Sequence, residues 1–205
     1  VLKDLPAKRR QLLPFEPNAE IKKILKAMET SHVANEKRLK ALRAQAKAKE
    51  GEDDKEAYAA IAREIQAATK IAFTEMSKHR HELAVAKAPI VVEHVREALE
   101  TQECLFVMAH HQDVVRILVD ALESEGVRCS VVTGDTPVVE RQEQVDAFQS
   151  GTTRVFVGTI RAAGVGLTLT RASHVVFAEL DWTPGNVSQA EDRVHRIGQT
   201  KSVLI

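Results

Sequence analysis

L-F-V-M-A-H-H-Q-D-V-V-R-I-L-V-D-A-L-E-S-E-G-V-R-C-S-V-V, residues 105–132, reads as one strand–helix–strand unit. The run Leu105–Ala109 is apolar without interruption, as expected of a strand covered on both faces. Asp113 to Ser124 is amphipathic at helical spacing and is closed by Gly126, and Cys129–Val132 is a second apolar strand. The same rhythm extends outward. Upstream, Ile90 to Leu99 reads as a helix; downstream follow a helix over Val138–Gln149, strands over 154–157 and 174–178, a helix over Val187–Arg196 and a final strand S-V-L-I. Short apolar strands alternating with helices predict an α/β domain over 85–205, a parallel sheet with helices on both faces. Right-handed crossovers would bring every strand-to-helix loop to one edge of that sheet, where open α/β folds bind ligands.

The loops expected on that edge are polar. They contain His110, His111 and Gln112; Thr133, Gly134, Asp135 and Thr136; T-I-R-A-A-G-V-G-L-T-L-T at 159–170; and E-L-D-W-T-P-G at 179–185. Glycines, hydroxyls and helix N-termini supply the close-approaching N–H donors that a phosphate needs. Gly164 and Gly166, flanked by Thr159, Arg161 and Thr168, are the strongest candidates.

Upstream of this domain the chain changes character. Residues 1–19 carry Pro6, Pro14 and Pro17 and read as an extended lead-in, with R-R-Q-L-L as a short strand. Residues 20–84 read as an antiparallel helical hairpin. Its first helix places Ile21, Ile24, Leu25 and Met28 on one face and holds nine Lys/Arg against two Asp/Glu over residues 22–49. Gly51 with Glu52, Asp53 and Asp54 ends that helix and starts the next, whose stripe is Tyr58, Ile61, Ile65, Ala68, Ala72 and Met76. A basic helix of this kind is either a solvated arm or a contact surface for DNA or a partner.

Composition narrows the class. The 205 residues are 44% hydrophobic and 28% charged, with Lys+Arg and Asp+Glu equal at 29, so a nucleic-acid partner must be sought in local clustering. Two cysteines outside any C-x-x-C pair argue against a zinc site or a disulfide framework and fit a reducing, intracellular setting. His79 and His81 diverge on a helix, so no metal site is expected there. No run is long and apolar enough for a membrane span. The abrupt V-L-K-D start and strand-like end lead to the expectation that the chain is a piece of something longer, with its last domain truncated at the C-terminus.

Near the end stands Q-A-E-D-R-V-H-R-I-G-Q, Gln189 to Gln199. On a helix, Arg193 and Arg196 would project from one face, two planar cations suited to a phosphate. Yet there is no G-x-x-x-x-G-K-[ST] and no D-E-x-[HD] segment anywhere. Alone, the chain can complete a nucleotide site but cannot build one.

W-T-P-G followed by Q-A-E-D-R-V-H-R-I-G-Q resembles the signature of the Snf-type branch of superfamily 2 helicases, DNA-translocating ATPases. The resemblance covers the second RecA-like lobe of the P-loop NTPase type, roughly 1–19 and 85–205, with the hairpin similar to that family's inserted protrusion. F-A-E-L-D-W-T-P-G and A-H-H look most like the annealing-helicase (HARP-like) sub-branch. The resemblance implies that Arg193 and Arg196 are arginine fingers reaching ATP held by a first lobe outside this chain, with Gln189 helping to position them. It further implies that Gly164 and Gly166, with Thr159 and Arg161, couple DNA contact to the ATP cleft, and that His110, His111, Thr133, Gly134 and Arg141 meet the DNA backbone. ATP with Mg2+ would be used by the complete protein and not held tightly by this lobe alone. The implied partners are the first ATPase lobe and double-stranded or branched DNA, in nucleoid or nucleus. T-I-R-A-A-G and W-T-P depart from the family's S-T-R-A-G-G and W-N-P; Glu179 and Asp181 are shifted from its acidic position. Gln199, where other branches carry the arginine of H-R-I-G-R, favours duplex translocation. The alternative is a non-catalytic helicase-like module that binds DNA or a partner through the basic hairpin.

Overall fold

The computed structural model describes residues 5–49, 55–163 and 166–205. Two compact units divide the chain, one of residues 1–15 with 87–205 and one of residues 16–86.

In the first unit, strands β2 (Leu105–Ala109), β3 (Cys129–Val132), β4 (Val155–Thr159) and β5 (Val175–Phe177) form a parallel sheet in the order β3-β4-β2-β5. A parallel pair, β1 (Lys8–Arg9) with β6 (Val203–Leu204), continues it through a bridge between His174 and Leu204. The lead-in strand is thus shorter and earlier than R-R-Q-L-L suggests: Leu12 and Leu13 are exposed, because pairing with β6 ends at Arg9.

Helix α3 (Gln112–Ser124) connects β2 to β3, and α4 (Val138–Gln149) returns from β3 to β4. The two crossovers run in opposite directions along the sheet, so right-handed connections put these helices on opposite faces. Side chains sort accordingly. Phe106, Met108 and Phe156 pack with Val145 and Phe148 of α4 in one core cluster. The alternate positions Leu105, Val107, Val155 and Val157, equally buried, face the other way. Gly158 is required by close approach, since a Cβ there would meet the Val132 carbonyl oxygen at 2.8 Å.

Pro89 does not start a new helix. A single helix α2 runs from Lys55 to Thr101 with Pro89 inside. An interior proline costs about 3 kcal/mol. Ala88, Val92, Val95 and Leu99 lie buried along one face of the same helix, and their burial offsets that cost.

In this unit His94 and His174 meet edge to face at 6.0 Å, and the buried His94 Nε2 has no hydrogen-bond partner. Burial first, and the neighbouring His94 second, push the His174 pKa below its ordinary value. The folded state therefore binds this proton less readily than the unfolded chain. Its stability is expected to be full above pH ~6.5 and to decline as pH falls below that value. Urea midpoints at pH 7.5 and pH 5.5 should differ, and by less in His174→Phe.

The second unit holds α1 (Ala19–Ala48) and the first part of α2. The Asn18 side chain caps α1 by accepting from the Ile21 N–H at 2.8 Å. Ile21, Leu42 and Ala68 are buried in a thin seam, while Tyr58 and Leu25, assigned to it from periodicity, are exposed. A polar layer interrupts the seam: Ser31 Oγ and Asn35 Nδ2 donate to Glu75 Oε2 at 2.5 and 2.6 Å. Those two bonds hold the Glu75 carboxyl below its ordinary pKa. The lysines and arginines of α1 all lie on its exposed faces. The acidic cluster Glu52–Asp54 falls outside the described residues.

Candidate functional site

The register Met108↔Phe177, Ala109↔Thr159 and Val132↔Gly158 brings the C-terminal ends of all four strands to one level. The polar loops therefore share one edge of the sheet. His110 and His111 follow β2 there, and both backbone N–H groups donate to Glu179 Oε2, at 2.8 and 2.9 Å. His111 Nδ1 lies 2.7 Å from Glu179 Oε1; the carboxylate can only accept, so Nδ1 carries the proton. His110 Nδ1 and Arg161 Nε approach Asp181 Oδ2 at 3.3 and 3.5 Å. The other oxygen, Oδ1, accepts from the Thr183 N–H at 2.8 Å and from Asn186 Nδ2 at 3.0 Å. Burial drives the Asp181 pKa upward, but those hydrogen bonds with the charges of His110 and Arg161 outweigh it and hold the carboxyl below its ordinary value.

Glu179 and Asp181 are thus the organising residues of this edge. Residue types alone did not single them out. Their i, i+2 spacing on an extended segment puts both on one side, but only the β2–β5 pairing places that side against His110. The N–H groups entering α3 are already occupied by Glu179, so they serve the fold as well as any ligand.

In the second loop, Arg141 Nε donates to the Thr136 carbonyl at 2.8 Å, and its Nη2 reaches the carbonyls of Thr133 and Gly134 at 3.3 and 3.4 Å. The Thr133 N–H donates to Thr136 Oγ1 at 2.9 Å. Arg141 thereby shapes the loop that carries Thr133 and Gly134. Thr159 ends β4 and is buried, and Arg161 on the short helix α5 (Ile160–Ala163) is exposed. Gly166 adopts φ +74, a left-handed conformation in which a Cβ would be strained. Gly164 lies outside the described residues.

The arginine stretch departs from its expected form. Helix α6 spans Pro184–Glu191, not Val187–Arg196. Gln189 is exposed on it. Beyond it, the N–H groups of Arg193 and Val194 turn back to the carbonyls of Ala190 and Glu191 at 3.2 and 3.1 Å, and no regular helix follows. The reason is competition from tertiary ties. The buried Glu191 accepts from Arg10 Nε and Nη2 at 2.8 and 2.6 Å and from Lys8 Nζ at 3.1 Å. His195 Nε2 donates to the Pro6 carbonyl at 2.8 Å. The buried Gln199 amide lies within hydrogen-bond distance of the carbonyls of Thr170, Ala172 and Val194. Gln199 is therefore a structural tie.

Four of the motif's polar residues, Glu191, Asp192, His195 and Gln199, are spent on holding the segment. The arginines are left. Arg196 is exposed and donates through Nη1 to Thr168 Oγ1 at 2.9 Å, and the Arg193 carbonyl accepts from the Leu169 N–H at 3.1 Å. Both residues thus sit against the 167–169 stretch of the glycine loop. Arg193 Nε is buried with no hydrogen-bond partner, and an orphaned buried guanidinium nitrogen suits an anionic ligand. Burial pushes the pKa of the Cys129 thiol up to about 12 and raises that of Cys104. Among the described residues, no helix is long and apolar enough to cross a membrane.

The model of the family described as the helicase conserved C-terminal domain matches residues 86–198. The DNA annealing helicase and endonuclease ZRANB3 of Bos taurus is 35% identical over 209 residues, covering 100% of this chain and 17% of that protein. Its Mus musculus counterpart is 45% identical over 124 residues, covering 60% and 12%. The SWI/SNF-related matrix-associated actin-dependent regulator of chromatin subfamily A-like protein 1 of Xenopus tropicalis is 45% identical over 124 residues, covering 60% and 13%. The chain thus spans at most 17% of the length of these relatives. Among solved structures, the C-terminal part of the Fun30 ATPase domain superposes with a TM-score of 0.64 at 21% identity, covering 98% of this chain and 84% of that one. That likeness is one of fold: the sheet-bearing unit is a RecA-like lobe.

Proposed function

The chain belongs to the helicase conserved C-terminal domain family, in the Snf-type branch of superfamily 2 and near its annealing helicases, and on that premise we propose that it is the second motor lobe of a DNA-dependent ATPase moving on duplex DNA. The observation that carries this reading is the arginine segment. Its acidic, histidine and glutamine side chains are consumed in anchoring it, while Arg196 is exposed and Arg193 keeps a buried nitrogen without a partner. Both arginines fit the phosphates of a nucleotide whose cradle and metal ligands lie in another lobe.

ATP with Mg2+ supplies the hydrolysable phosphoryl group. The part of this chain is electrostatic: Arg193 and Arg196 neutralise charge that grows on the phosphate oxygens as the bond breaks. Gln189, exposed on α6 four residues before Arg193, helps to orient it. On the same edge, His110, Thr133, Gly134 and Arg161 offer donors to a DNA backbone, with Arg141 shaping the second loop; Thr159, buried at the end of β4, and His111, whose N–H and Nδ1–H go to Glu179, act by holding the loops in place. Backbone contacts of this kind are independent of base sequence and sensitive to salt. The Asp181 junction joins Arg161 of the β4 loop to His110 of the β2 loop and to the start of α6. Backbone contact at one loop is thereby felt at the helix leading to the arginines.

Two measurements test the reading. DNA-stimulated ATP hydrolysis of the complete protein should vanish with Arg196→Ala. Arg161→Ala should weaken duplex binding about uniformly across sequences and lower the salt slope of log K by about 1. Titrations of a labelled duplex between 50 and 200 mM salt give that slope, and an unchanged slope removes Arg161 from the contact.

A further inference from the structure

We propose that Arg10, aided by Lys8, is a positioning residue that sets Arg193 and Arg196 through the buried carboxylate of Glu191; this rests on the reading of those arginines as the groups that meet nucleotide phosphates. Segment 192–198 has no regular secondary structure to fix its path. Its conformation comes from its anchors: the Arg193 carbonyl is held by the Leu169 N–H, and the side chains committed upstream of Arg196, those of Glu191, Asp192 and His195, are tied to the lead-in. Glu191, 2% exposed, is held by the two-pronged Arg10 guanidinium and by Lys8. Lys8 also reaches Asp192 Oδ1 at 3.2 Å. His195, between the two arginines, is tied to the Pro6 carbonyl. Residues 6–10 therefore grip the chain on both sides of Arg193.

The gripping segment is itself fixed. Lys8 and Arg9 pair with Val203 and Leu204, strand neighbours that follow the arginine stretch directly. The N–H of Val203 donates to the Ala7 carbonyl and that of Ile205 to the Arg9 carbonyl, both at 2.8 Å. The lead-in and the final strand close a ring around residues 191–199. A shift of residues 6–10 would carry Glu191, Asp192 and His195 with it, and with them both arginines. A buried carboxylate needs its partners, and a planar fork matches it better than an ammonium. Displacement of a catalytic group by about 1 Å can cost about 100-fold in rate. A clamp that only stabilises the fold would affect all of the lobe alike.

The test combines kinetics of the complete protein with amide exchange of the 205-residue chain. Arg10→Ala should lower kcat for DNA-stimulated hydrolysis at least tenfold, with KM for ATP and duplex affinity within about twofold. Arg10→Lys should fall between, and the exchange Arg10→Glu with Glu191→Arg should recover part of the loss. Amides of 192–198 should exchange at least tenfold faster in Arg10→Ala, with those of β2 and β4 unchanged. An unchanged kcat, or equal acceleration of exchange across β2 and β4, overturns the proposal. Arg196→Ala run in parallel separates the two readings. If it abolishes hydrolysis while Arg10→Ala does not, the positioning role alone fails; if it spares hydrolysis, the phosphate assignment fails first, and amide exchange still decides whether Arg10 holds the segment.

Discussion

Arg196→Ala in the complete protein is expected to lower DNA-stimulated ATP hydrolysis by about 10³–10⁵-fold, the range attributable to a guanidinium placed against a transferring phosphoryl group. Duplex affinity should stay within a few-fold, because the donors proposed to meet DNA sit on other loops. The fold should tolerate the change: Arg196 is exposed, and its two hydrogen bonds, to Thr168 Oγ1 and the Leu167 carbonyl, are made at the surface. Arg196→Lys should rescue little, since an ammonium cannot offer two parallel donors to a phosphate. Steady-state hydrolysis with and without duplex DNA reads the effect, and a mutant that hydrolyses ATP at the parent rate removes Arg196 from the nucleotide site.

Phe156→Ala should destabilise the sheet-bearing unit by about 3–5 kcal/mol. Phe156 is fully buried near the start of β4 and meets two aromatic neighbours edge to face, Phe106 and Phe148, each at 5.6 Å. Truncation removes one large side chain and leaves two others facing a void, so transfer and cavity costs add. Against a typical domain stability of about 5–15 kcal/mol, this loss would leave a sizeable unfolded fraction or a large drop in urea midpoint. Phe156→Leu should cost distinctly less. Equal midpoints for the parent and Phe156→Ala would show that the cluster of Phe106, Phe148 and Phe156 is not the centre of the core.

Both predictions concern residues whose environments were unequally legible. The α/β class was readable because β2 and β4 are apolar at every position and α3 is strongly amphipathic; buried parallel strands and surface helices leave those periods directly in the residues. The arginine motif was readable as a string and its geometry was not. The strand–helix alternation predicts a helix over Val187–Arg196, but Glu191 and His195 are claimed by Arg10 and Pro6, more than 180 residues away. Similarly, Pro89 marks a boundary by local preference, and burial along α2 overrides it.

What the amino-acid sequence determined by itself was the alternation of strands and helices, the edge on which polar loops gather, and the motif that names the family. The tertiary structure decided which charged groups are spent and which are available. Glu179 and Asp181 became the frame for His110, His111 and Arg161, Gln199 became a tie, and the segment carrying Arg193 and Arg196 was shaped by the lead-in. The reason is physical. Periodicity records burial along one element, whereas a buried carboxylate takes whatever donor the fold brings within 3 Å of it, however distant along the chain.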